Sequence, residues 1–351
     1  MRRFGRLAAG AALLALTAGG PAVAGSQRPD WTVTKRIALG APDRWDYLTF
    51  DPDSGRLYVS HGDRVAVVDG RTGALLGNVT GMPGGTHGIA ISHATDQGFT
   101  DDGRAGEAAA FDLKTLKVEK RLKAQPDADG IIFDPPSGHV FVIDGDSGRL
   151  TAIDPKTDRV LATIDGGGGL EFGVSGDNGK LYVNGAEKHE IVRIDTATEM
   201  ADAHWPMPAC ARPHGLAIDR AHHRLFSTCA NKIMVVMNAD DGAVIANLPI
   251  AAGSDAAAFD PVRGLAFSSN FSGSLSVVAE QTPDKFVALP AVQTMLGART
   301  MSLDPKSGRI YLVAADIAVN PSAAATDYRH RYKVKPGSVT LYFMDPAKPA
   351  R

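Results

Sequence analysis

Only two cysteines, Cys210 and Cys229, occur in 351 residues, which excludes a disulfide-dense small scaffold. Charge of either sign is scarce in excess: 37 Lys+Arg stand against 39 Asp+Glu, a net of −2, with no basic run. Tight nonspecific nucleic-acid binding needs a basic patch, so nucleic acid is not an expected partner. Beyond the N-terminal stretch, no apolar run reaches the roughly 18 residues that a membrane-spanning helix requires. Gly166-Gly167-Gly168-Gly169 is no phosphate loop, since no Lys-Ser/Thr pair and no helix pattern follow it.

What the chain has in abundance is repetition. Asp46-Tyr47-Leu48-Thr49-Phe50-Asp51 runs through a turn into Arg56-Leu57-Tyr58-Val59-Ser60, and the pattern returns six more times. With Phe50 as anchor, the equivalents are Ile91, Phe133, Val174, Ile218, Phe259 and Leu303, at steps of 41, 42, 41, 44, 41 and 44 residues. Short apolar strands at a period of about 40–45 residues predict an all-β, seven-bladed β-propeller with four-stranded antiparallel blades. The last repeat offers three strands, so Trp31 to Leu39 is expected to supply its outermost strand and close the ring, hiding the sheet edges. Arg2, Arg3 and Arg6, the apolar Leu7 to Gly20 and Ala22-Val23-Ala24 read as a signal peptide over 1–24, followed by one propeller domain over 25–351. A periplasmic or secreted monomer, released by cleavage near Ala24, is the expected form. Export to an oxidising compartment leaves two readings for Cys210 and Cys229: a disulfide closing a small loop, or a thiolate metal site.

In a propeller the first strand of each blade lines the central channel. Four residues before each anchor stand Asp46, His87, Asp129, Leu170, His214, Asp255 and Arg299, with Glu171 beside Leu170 in the fourth repeat. Polar groups at this one position, on strands that are otherwise apolar or small, predict a ring at the entrance face of the channel. Three chemistries fit such a ring. A divalent metal ion could take His87, His214, Asp129 and Asp255, with a position left for water. General acid–base work would pair His87 with Asp129, or His214 with Asp255. A binding pocket would use Arg299 to clamp a carboxylate or phosphate.

The connection from Ala314 to Gly337 is far longer than its counterparts and carries Tyr328-Arg329-His330-Arg331. It is expected at the same face, as a lid over Arg299. His61, Asp102, Asp144 and Asn270, at the ends of second strands, are expected to form an outer rim there. Asp144-Gly145-Asp146-Ser147-Gly148 has calcium-like spacing but reads as a hairpin turn. His222-His223 falls in a turn on the far face and is expected in solvent.

Tyr58-Val59-Ser60-His61, Tyr182-Val183-Asn184-Gly185 and Phe267-Ser268-Ser269-Asn270, with Trp45-Asp46-Tyr47 and Ala298-Arg299-Thr300-Met301, resemble the Tyr-Val-Thr-Asn repeat of the YncE-like seven-bladed propellers of exported bacterial proteins. The resemblance runs from about Trp31 to Pro346 and implies the fold and export. Related propellers include lactone hydrolases, lyases and electron-transfer subunits. The expected function is therefore an exported binding module holding a small anionic ligand or another exported protein at the entrance face. The alternative is a metal-dependent, lactonase-like hydrolase or lyase that uses the channel His and Asp residues.

Overall fold

The computed structural model describes residues 30–324 and 328–347; the signal-peptide expectation for 1–24 lies outside them. Seven four-stranded antiparallel sheets follow one another around a central axis. Blade 1 shows the pattern, with Leu48–Asp51 innermost, then Arg56–His61, Arg64–Asp69 and Leu75–Thr80. The second strands read as near-continuous apolar runs because both of their faces are covered. Leu57 and Val59 pack against blade 7 through Tyr311, Val313 and Phe343, while Tyr58, pointing the other way, packs against Phe111 and Ile89 of blade 2. The period of two along a strand thus becomes an alternation between preceding and following blade. Seven apolar clusters fill the seven interfaces between blades.

Closure follows the sequence expectation. The seventh sheet has the N-terminal strand outermost, then Thr340–Pro346, Arg309–Ala314 and Met301–Asp304. Trp31–Ala38 pairs with that C-terminal strand from Trp31↔Pro346 to Ala38↔Thr340. The Trp31 indole donates to Gly308 O at 2.9 Å. Arg309 grips Asp345 at 2.6 Å, tying the second strand of the blade to the third.

Cys210 and Cys229 form a disulfide with Cα atoms 5.5 Å apart. Pro213 stands opposite Cys229 in the register of the hairpin, which brings the upstream Cys210 within reach. Among the described residues no helix is long and apolar enough to cross a membrane.

Candidate binding site at the entrance face

The ring positions are fixed by backbone contacts between blades. His87 is followed by Gly88 and His214 by Gly215, and neither glycine leaves room for a side chain. A Cβ on Gly88 would lie 2.3 Å from the Ile131 nitrogen, and one on Gly215 would lie 2.6 Å from the Ala256 carbonyl carbon. Adjacent strands therefore approach at the axis more closely than any other residue permits. A polar side chain at the fifth position of the preceding blade's second strand then clamps the ring residue's carbonyl. Ser60 donates to His87 O, Asn184 to His214 O at 2.7 Å, and Ser269 to Arg299 O. The Tyr-Val-Ser and Tyr-Val-Asn wording of the repeat is, at these points, a positioning device for the site.

The ring sorts into three groups. Asp46, His87 and Asp129, from consecutive blades, bring their ligating atoms within 4.8 Å of one another. Glu171 pairs with His214 at 3.6 Å, and Asp255 with Arg299 at 3.1 Å. Behind the first group stands Asp101, whose Oδ2 meets His87 Nδ1 at 2.6 Å while Oδ1 accepts the His87 backbone N–H at 2.7 Å. This carboxylate fixes the imidazole with Nε2 left for a ligand, the arrangement that outer carboxylates give metal-binding histidines.

The electrostatics follow from crowding acids out of water. Burial lifts the Asp46 carboxyl to about 6, against the pull of Arg299. Burial and the neighbouring Asp46 push Asp129 well above the usual carboxylate range. Burial by itself would lower His87, but the bond to Asp101 and the charges of Asp129 and Asp46 override it and hold the imidazole at about 9. Glu171 raises His214, and Asp255 raises Arg299.

Below the ring, Tyr47 and Phe172 stack across the channel with centroids 4.2 Å apart. They follow Asp46 and Glu171 in the chain, so the stack stands between the polar ring and an apolar cavity of about 590 Å³ that opens toward the far face. The Tyr47 hydroxyl is buried without a hydrogen-bond partner among the described residues. Two hollows flank the ring above the stack. One, of about 440 Å³, is acidic and includes Asp127, Asp129, Asp146, Glu171 and Glu187. The other, of about 340 Å³, joins Asp46 and Arg299 to Trp45, Phe271, Tyr332 and Ile317.

The insertion does reach the ring. It forms a hairpin of Ile317–Val319 with Tyr332–Val334 and a single helical turn, Tyr328–Arg331. Ile317, Tyr332 and Val334 supply the wall of the hollow beside Arg299, and Tyr332 packs edge-on against Phe271 at 4.9 Å. Of the residues expected to reach over Arg299, His330 is exposed and Arg331 donates to Ala323 O at 2.9 Å; the side chains of Tyr328 and Arg329 lie outside the described residues.

The expected metal set is divided: His87 and Asp129 converge with Asp46, whereas His214 and Asp255 are engaged by Glu171 and Arg299. His214 meets Glu171 of the preceding blade rather than Asp255 of the following one, which Arg299 engages. The outer rim is not a rim, since His61, Asp102, Asp144 and Asn270 are all buried. Their bonds are local: Asn270 donates within its hairpin to Ser274 O at 2.9 Å, Asp144 accepts from Thr151 at 2.9 Å and from Gln125 N at 3.1 Å, and His61 meets Gly40 O at 3.1 Å. Asp101, Tyr47 and Phe172 escaped the sequence reading. A signal for Asp101 was present: it occupies the strand position that Ser60, Asn184 and Ser269 hold elsewhere, where an acid is out of pattern.

No family model matches the chain, and no curated protein sequence does. Solved structures match its shape. A chain of "Kuenenia stuttgartiensis Hydrazine Synthase" superposes with TM-score 0.67 at 16% identity, covering 76% of this chain and 91% of that one. A chain of "Crystal Structure of Mitotic Checkpoint Complex" gives TM-score 0.73 at 13% identity, covering 97% and 99%. At such identities the likeness is one of fold.

Proposed function

We propose that the entrance face is a divalent-cation centre in an exported, YncE-like propeller, and that a small anionic ligand binds there through the ion. The observation that carries this reading is the convergence of Asp46, His87 and Asp129 within 4.8 Å, with His87 already oriented by Asp101. Two carboxylates and one imidazole suit Zn²⁺ or Mn²⁺ and leave positions open. Charge explains why ion and anion belong together. Asp46, Asp101, Asp129, Glu171 and Asp255 face Arg299 and two imidazoles, and Arg299 is already engaged by Asp255. An anion alone meets a net negative ring, whereas a bound dication reverses the local sign. Arg299 and the aromatic hollow beside it then hold the ligand's anionic group and its body. The disulfide between Cys210 and Cys229 supports an oxidising compartment, in keeping with the signal-like N-terminus.

An ion with an open position also polarises a carbonyl or acidifies water, so a hydrolase or lyase is the second reading. With His87 given to the ion, the acid–base group of that reading is His214, which stands beside Glu171 at 3.6 Å. Calorimetric titration of metal-stripped protein with Zn²⁺ and Mn²⁺ tests the centre. Asp46→Asn combined with His87→Gln is expected to remove one equivalent of tight binding, and citrate is expected to bind wild type only when the ion is present. Undiminished ion binding in the double variant would sink the proposal. Turnover of a lactone panel by the ion-loaded protein separates enzyme from binding module.

A further inference from the structure

The face opposite the ring carries a second convergence of ligating side chains. An aspartate closes the innermost strand of most blades, and its carboxylate takes a donor from three residues on. Asp134 accepts from Ser137 at 2.7 Å, Asp304 from Ser307 at 2.5 Å, and Asp260 from Arg263 at 2.7 Å. In blade 5 Asp219 follows the rule with His222, whose Nδ1 lies 2.6 Å from Asp219 Oδ2. Here, however, a second carboxylate arrives. Glu280, from the third strand of blade 6 (Ser274–Thr282), brings Oε1 to 2.8 Å from the same Nδ1.

One imidazole N–H serves one acceptor well, and Asp219 takes it. Among the described residues neither Glu280 oxygen finds a hydrogen-bond partner, although only 5% of its side chain is exposed; Asp219 is 3% exposed. Apart from the Ala221 N–H that Asp219 Oδ1 accepts at 3.0 Å, these two buried carboxylates share one imidazole donor, which is costly unless a cation is present. The other blades supply one or avoid the need. Arg263 neutralises Asp260, and the comparable group at blade 1, Asp51, Asp53 and His93, leaves Asp53 78% exposed to water. The nearby Arg220 is taken by Asp177 at 2.7 Å.

From this geometry we infer that Asp219, His222 and Glu280 form a second divalent-metal site, independent of the entrance face, which clips blade 5 to blade 6. The two carboxylates match the charge of a dication, and the imidazole selects Zn²⁺ or Mn²⁺ over Mg²⁺ and Ca²⁺. His222 keeps 49% of its side chain in solvent, so the ion has an open side. That side faces a cleft of about 380 Å³ lined by Phe259, Pro261 and Gln281. Asp219, Phe259 and Pro261 also line the lower channel cavity, placing the ion at its mouth, where a water or an oxygen-donor ligand completes the shell.

The test uses protein carrying Asp46→Asn and His87→Gln, which removes the entrance-face centre. Calorimetry of this background is expected to show one equivalent of Zn²⁺, not displaced by excess Mg²⁺, and Glu280→Gln added to it is expected to weaken binding at least tenfold. Absence of saturable Zn²⁺ binding in the background, or an affinity unmoved by Glu280→Gln, overturns the site. Should the triple variant fail to fold by circular dichroism, X-ray absorption on the Zn²⁺-loaded background decides. One imidazole with oxygen ligands is the expected shell, and two or more imidazoles overturn the assignment.

Discussion

Asp144 offers the cleanest reading of pH. Its side chain is buried in the blade 3 hairpin and burial lifts its carboxyl to about 7, against the bonds from Thr151 and Gln125 N. Because the folded value lies above the ordinary 3.8, the unfolded chain gives up its proton first as pH rises. The stability this group contributes is whole below pH 3.8 and is lost as pH climbs through about 7. Asp144→Asn, which keeps an acceptor for Gln125 N, is expected to raise stability at pH 8 by on the order of 1–3 kcal/mol and to flatten the profile between those limits. Chemical denaturation across pH checks it. Gly88→Ala probes the close approach at the axis: with backbone 2.3 Å from the new carbon, a loss of about 3 kcal/mol or more is expected. At this scale the sequence was only half legible. The ring of Asp, His and Arg could be aligned from the repeat, but which ring members touch depends on side-chain reach across the channel. Asp101 comes from a second strand that no first-strand alignment examines.

Two elements depart from the repeat, and both border the site. The disulfide closes a loop with a separation of 19 residues that encloses the strand Pro213–Asp219, which carries His214. Replacing both cysteines by serine is expected to lower stability by about 3 kcal/mol, read as a shifted denaturant midpoint. The insertion's hairpin, by contrast, adds a two-strand sheet outside the blades. Tyr332→Ala removes an edge-on aromatic contact worth about 1 kcal/mol and is expected to leave Zn²⁺ affinity unchanged while weakening citrate binding to the ion-loaded protein. Equal loss of both affinities would mean that the hairpin supports the ring itself rather than the ligand. The length of this insertion and its place in blade 7 were legible, because the repeat made the excess visible. Which of its side chains form the wall was not: the cations between Tyr328 and Arg331 stand out in the sequence, whereas the chain turns Ile317, Tyr332 and Val334 inward.

For the whole molecule, seven copies of one strand pattern left little room for another architecture, and the missing outer strand of the last copy identified its own replacement. That legibility has a physical source, since every interface reuses one alternation, Leu57 and Val59 toward one neighbour and Tyr58 toward the other. Local wording therefore reports global packing. The two described ends meet, Ala347 N donating to Asp30 O at 2.7 Å. A circular permutant that joins them and opens the chain between Ala251 and Gly253 is expected to fold with an unchanged circular dichroism spectrum, while deletion of Trp31–Ala38 is expected to leave an unpaired edge and aggregation. The latch also has a mechanical character. Trp31 and Pro346 are direct partners in an antiparallel pair, so a force pulling the two ends apart loads the hydrogen bonds of that pair one after another instead of all at once. The ring is a closed circle of sheets, but by its ends it opens like a zip.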